Sequence, residues 1–280
     1  MSWKDILVFA DGSEDGLTRL KLAMDIARAH DAHLEAQIVT ALPQRPYGPA
    51  SAALEDAFQE VLRAIEQRAA DALAAVNKTA PPGETFSAYR CDGPFSHLRS
   101  LVAVAARSAD LVVLGQPEAT DASDIDTEIL MGALFGGGQP CLMLPRWVSP
   151  HIWGRRALIA WKATPQAARA VQAALPLLKR AESVRLLTVD PRAEREGEDR
   201  RSLMRLATHL SRHDVEVEGP DTTQSEFGDA ARAIAEEIEV FRADLLVMGA
   251  YGRARVNEFV FGGVSRAMIR DARIAVLMSH

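Results

Sequence analysis

The sequence predicts an α/β protein built from two tandem, doubly wound parallel-sheet domains, and three observations carry that expectation. Short apolar runs of strand length alternate with amphipathic stretches along the chain, the runs are continuously apolar, and the pattern of the first half recurs in the second. "ADLVVLG" at 109–115 and "ADLLVMG" at 243–249 match nearly residue for residue. "ILVFADGS" at 6–13 answers to "ALIAWKAT" at 157–164, and the halves close on "CLMLP" at 141–145 and "AVLMS" at 275–279. The chain reads as a tandem duplication.

In the first half, strands are predicted near 5–10, 34–41, 85–91, 110–115 and 141–145. Helical patterns lie between them near 15–31, 52–77 and 96–108, with a weaker stretch around 125–135. Leu98, Leu101, Val102 and Ala105 follow i, i+3, i+4, i+7 spacing, and Ala231, Ile234, Ala235 and Ile238 do the same in the second half. Pro, Gly and polar residues interrupt the pattern in "RWVSPHIWGRR", 146–156, which sets the domains at 1–148 and 154–280. "PQRPYGP" at 43–49 and "PRAEREGEDRR" at 191–201 each follow a second strand, and the latter reads as a solvated loop and helix start.

Composition narrows the function classes. With 280 residues, 48% hydrophobic and 25% charged, the chain has ordinary globular content. Apolar runs such as "LVVL" and "LLVM" fall far short of the roughly 20 residues of a membrane helix. "MSWKDILVFADGS" carries charges where a signal peptide needs an apolar core, so a cytoplasmic location is expected. A net charge of -6 argues against broad attraction to nucleic acid. Cys91 and Cys141 lie in strand-like segments without CxxC or metal spacing and read as buried free thiols. His209 and His213 have i, i+4 spacing but no HExxH context, so they read as a solvated helix face, and no metal site is expected. Neither Gly-x-Ser-x-Gly nor a Ser-His-Asp set occurs, and no carboxylate pair is placed for acid/base work. No enzyme activity is expected.

In an open parallel sheet, ligands settle at the carboxyl ends of the strands, which singles out the turns after strands one and four of each half. The fourth turn of the second half is "GAYGRARVNEFVFGGVS", 249–265. Gly249 and Gly252 would let backbone approach a ligand, and Gly262 and Gly263 precede a helical stretch through Val264, Ser265, Met268 and Ile269. Amides at a helix start form an anion site without a lysine, and Ser265 adds a hydroxyl, so phosphate fits the chemistry. Glycines serving only tight turns would produce the same spacing. GxxxxGK[ST] is absent, and no GxGxxG follows the first strand of either half.

These residues carry a resemblance. "DGS" after strand one (Asp11-Gly12-Ser13), with a late Gly249-Ala250-Tyr251-Gly252, nine residues, then Gly262-Gly263-Val264-Ser265, is similar to the universal stress protein family. The resemblance covers essentially the whole chain as two family domains. It implies a Rossmann-like, adenine nucleotide alpha hydrolase-like fold in a tandem pseudo-dimer paired through the last strands, a role in stress response, and further self-association. It also implies ATP or a related adenine nucleotide, with Mg²⁺ if bound, as ligand. Gly249 and Gly252 would lie against ribose and phosphate, Gly262 to Ser265 would wrap the phosphates, Val189 would lie beside the adenine, and Met248 would line the pocket.

The pattern departs from the family at Lys162, where an acidic residue is usual, and at Gly263, where a hydroxyl is usual. Lys162 would pair with phosphate or sit at the rim, and Thr164-Pro165 reads as a helix cap. After Gly115 the first half has "GQPEATDASDIDTE", whose Asp121, Asp124, Asp126 and Glu128 read as a solvated acidic loop repelling nucleotide. "GALFGGGQP" leaves little room for an anion-binding helix, so the first half reads as degenerate for nucleotide. A regulator binding nucleotide in the second half, a family module acting through protein–protein contacts, and a weak ATP hydrolase are the three functional readings.

Overall fold

The computed structural model describes residues 2–45, 51–81, 85–118, 124–146, 154–190, 196–250 and 263–280. The first half runs β1 (Asp5–Phe9), α1 (Glu14–His30), β2 (His33–Leu42), α2 (Ala52–Thr79), β3 (Phe86–Pro94), α3 (Phe95–Ala106), β4 (Leu111–Gly115), α4 (Ile125–Met131) and β5 (Cys141–Leu144). A π-helical turn, Gly132–Gly137, continues α4. The second half repeats the order with β6 (Arg156–Ala160), α5 (Pro165–Leu178), β7 (Ser183–Val189), α6 (Glu196–Ser211), β8 (Val217–Thr223), α7 (Ala230–Phe241), β9 (Leu245–Gly249), α8 (Gly263–Asp271) and β10 (Ala275–Ser279). The expected strands and helices are all present, and α6 begins inside the stretch read as a helix start. The boundary segment lies mostly outside the described residues.

All the strands join one ten-stranded sheet in the order β3-β2-β1-β4-β5-β10-β9-β6-β7-β8. Pairing is parallel within each half, and β5 meets β10 antiparallel with Leu277 opposite Leu142. The two closing strands thus pair as expected across a pseudo-twofold axis, and each covers the other's open edge. β8 was not anticipated in "VEGPDTT", because Gly219 and Pro220 argue against a strand interior. Its place at the sheet edge, beside a register shift at Arg185/Leu186, explains how proline is tolerated.

The continuous apolar runs have a direct explanation in the core. Successive strand residues point to opposite faces. Ile6, Val8, Val113, Ile159, Val247 and Leu277 pack on one side with α1 and α5. Leu7, Phe9, Val112, Leu158, Met248 and Val276 pack on the other with α3, α4, α7 and α8. Both hydrophobic clusters run through both halves.

The cysteines conform in part to expectation. Both are free, with Cys141 buried and Cys91 half-buried. Burial raises both thiols above their ordinary value, which disfavours the reactive thiolate.

Candidate functional site

Sequence builds the second-half cleft from three turns that the sheet brings together at the carboxyl ends of β6, β7 and β9. The cavity is about 280 Å³. Leu187 and Val189 at the end of β7, Ile234 on α7 and Met248 on β9 supply an apolar wall. Gly263, Val264 and Ser265, the first turn of α8, also line it, with Lys162 and Thr164 contributed by the turn after β6.

Local chemistry holds each turn. Thr164 caps α5, its Oγ1 accepting the Ala167 amide at 3.3 Å, with Pro165 as the first helical residue. After β7, Asp190 adopts a left-handed conformation, φ 50°. Its carboxylate accepts the Ser225 amide at 2.6 Å and the Ser225 hydroxyl at 2.5 Å. The hydroxyl bond first, then the amide bond, holds this carboxyl below its ordinary pKa. The Trp161 indole donates to Ser202 Oγ at 3.1 Å, placing its ring at the cleft.

Two glycines in the cleft serve different needs. A Cβ on Gly249 would come within 2.5 Å of the Ala167 amide nitrogen, so close passage of α5 over β9 requires glycine there. A Cβ on Gly263 would meet nothing within 4 Å among the described residues, so none of them dictates glycine there. The early amides of α8 lack carbonyl partners within their own helix, and its dipole is positive at this end.

The equivalent crevice in the first half is about 220 Å³ and chemically unlike its sister. Asp11, Asp15, Arg19, Asp126 and Arg146 line it, whereas Lys162 is the one charged residue among the described lining of the second-half cleft. The expectation of little room for a helix here is corrected: α4 and its π-helical turn occupy 125–137. Asp124 supplies the reason that helix start offers no anion site, because its own Oδ1 accepts the Asp126 amide at 3.1 Å. The acidic stretch is also not uniformly solvated. Glu128 is buried and takes a two-pronged bond from Arg99, at 3.0 Å from Nε and 2.6 Å from Nη2, while Asp126 is half-buried. Asp121 lies outside the described residues.

With this geometry established, comparison with known proteins is decisive for the family. The sequence pattern described as "Universal stress protein family" matches residues 2–125 and again 154–280. The chain belongs to the universal stress protein family. No curated protein matches it. Among solved structures, a universal stress protein from Archaeoglobus fulgidus DSM 4304 is similar at 15% identity and a TM-score of 0.69, over 98% of this chain and 94% of that one. A candidate universal stress protein from Pseudomonas aeruginosa UCBPP-PA14 is similar at 17% identity and 0.62, over 98% and 92%. A functionally unknown protein from Pseudomonas aeruginosa PAO1 reaches 17% and 0.60 over the same shares. At such identities the likeness speaks for the fold.

Within this universal stress protein, the cleft gathers Lys162, Val189, Met248, Gly249, Gly263, Val264 and Ser265. Gly252 and Gly262 lie outside the described residues. Lys162 is exposed, the rim position, whereas Ser265 and Met248 are buried. Sequence reasoning did not name Trp161, Leu187 and Ile234 as cleft residues. Ile234 was visible as part of a helical stripe, but a stripe does not tell a core position from one at the mouth of a cleft. His209 is exposed and rests edge-on against half-buried His213, their ring centres 4.6 Å apart. Among the described residues no three His, Cys, Asp or Glu converge on a metal position, and no helix is long and apolar enough to cross a membrane.

Proposed function

We propose that this universal stress protein acts in stress response by binding ATP or a related adenine nucleotide in its second-half cleft as a regulatory ligand. One observation carries the reading: a single cleft is lined both by apolar side chains, Leu187, Val189, Ile234 and Met248, and by the first turn of α8. The wall suits a flat, apolar-faced base, and the helix start suits phosphate. Lys162 makes no ion pair among the described residues, leaving its ammonium able to reach an anion at the rim. Mg²⁺, where it accompanies the nucleotide, would arrive with the phosphates and neutralise part of their charge.

We read the nucleotide as a signal and not as a substrate. Among the described lining residues there is no carboxylate or imidazole to act as a general base. The reading is tested by mass spectrometry of small molecules released from freshly purified full-length protein. Near-stoichiometric adenine nucleotide supports it. If nothing is retained and ATP does not bind on titration, the chain is instead a family module working through protein contacts. Turnover of ATP above background, abolished together with binding, would replace the regulatory role with a hydrolytic one.

A further inference from the structure

The first-half crevice contains a buried cation to which no described residue makes a salt bridge. Arg19 lies on the buried face of α1, with Gly16, Leu20, Ala23 and Ala27 at helical spacing, and is only 9% exposed. Its guanidinium rests on the end of β4: a Cβ on Gly115 would stand 1.7 Å from Arg19 Nη1. Buried arginine ordinarily forms bidentate bonds to a carboxylate. Among the described residues Nε has no hydrogen-bond partner and the guanidinium makes no salt bridge. Asp126, Asp11 and Asp15 are near enough to interact with it electrostatically, yet none touches it.

None of the three carboxylates forms a salt bridge with Arg19, and half-buried Asp126 lines the same cavity. Asp11 Oδ1 accepts the Ser13 amide at 3.0 Å and the Ser13 hydroxyl at 2.6 Å, and Asp11 and Asp15 are both exposed. Arg146 at the mouth is bound to Glu118 at 2.7 Å. A buried cation therefore lines a small cavity together with three carboxylates, none of them in a salt bridge with it.

We propose that this crevice is a binding site for a small zwitterion of the α-amino-acid type, its carboxylate on Arg19 and its ammonium toward Asp126, Asp11 and Asp15. A carboxylate supplies the planar pair of acceptors that the guanidinium lacks. An ammonium supplies the positive charge that three carboxylates favour. A polyphosphate would satisfy Arg19 but add several negative charges against the same carboxylates, so this site selects against the nucleotide proposed for its sister. A simple amine would leave Arg19 as it is.

The test is isothermal titration of the full-length protein with the common L-amino acids, using acetate as the anion-only probe and methylamine as the cation-only probe. At least one amino acid is expected to bind saturably, and acetate and methylamine at least about tenfold more weakly. Arg19→Met and Asp126→Asn should each weaken that amino acid by about tenfold or more, with Arg19→Lys retaining part of the affinity. If Arg19→Met fails to fold by circular dichroism, Asp126→Asn and Arg19→Lys decide. Failure of every amino acid to bind overturns the proposal. So does acetate binding as tightly as any amino acid, or binding indifferent to the substitutions at Arg19 and Asp126.

Discussion

At the scale of single residues, glycine carries two separable meanings in this chain, and substitution distinguishes them. Gly249→Ala would drive a methyl into the α5 backbone, and overpacking of this kind costs about 1–3 kcal/mol. Urea denaturation should show a lowered midpoint with an unchanged slope. Thr164→Ala removes the cap on α5, with an expected loss of about 1 kcal/mol by the same measurement. The cap was legible because a hydroxyl followed by proline has one favoured reading at a helix start. The steric need for Gly249 was not legible, since it depends on a helix from elsewhere in the sequence passing overhead. Arg19 was half-legible: its spacing from Leu20, Ala23 and Ala27 places it on the buried face of α1, but spacing does not reveal a missing partner.

Among elements, α8 links the two halves. Its first turn lines the second cleft, and its last turn is held from the first half. Gln116, directly after β4, shares its two Nε2 N–H groups among the carbonyls of Ile269 and Arg270 at 3.0 Å and of Ala272 at 3.2 Å. Ala250 is the corresponding residue after β9, and each makes the matching backbone bond: Gln116 to the Leu144 carbonyl at 3.0 Å, Ala250 to the Ser279 carbonyl at 2.9 Å. Gln116→Ala should destabilise the protein by about 1 kcal/mol and speed amide hydrogen exchange in α8 more than in α5. A uniform change across both helices would contradict this link. The Asp190–Ser225 bond offers a pH-dependent counterpart. Because the folded carboxyl is held below its ordinary value, its stabilisation is present above about pH 3.9 and is lost as pH falls through the folded value. Asp190→Asn should flatten the acid limb of the stability profile. Neither contact could be read from sequence, because both join residues whose proximity the topology alone creates.

For the whole molecule, the repeated "ADLVVLG" and "ADLLVMG" segments, the continuous apolar strands and the two closing strands contained most of the architecture. Parallel strands buried on both faces need apolar residues at every position, so pattern and fold imply each other. The divergence of the two clefts was only partly legible. Loss of the glycine spacing marked the first half as different, but its helix start blocked by Asp124 and its buried Arg19 emerge only in three dimensions. Both hydrophobic clusters cross the β5–β10 seam, so thermal unfolding should be one cooperative transition, with calorimetric and van't Hoff enthalpies in agreement. Two separated transitions would show halves that are stable independently. The central claim, a nucleotide site confined to the second half, rests most directly on calorimetric ATP titration of the full-length protein beside its Gly263→Asp variant. No described residue stands within 4 Å of a Cβ at Gly263, so none of them obstructs the variant, while its carboxylate at the start of α8 opposes phosphate. One ATP per chain in the parent protein and about tenfold or greater loss of affinity in the folded variant are expected. ATP binding that the variant leaves unchanged, or two equivalents bound per chain, would contradict it.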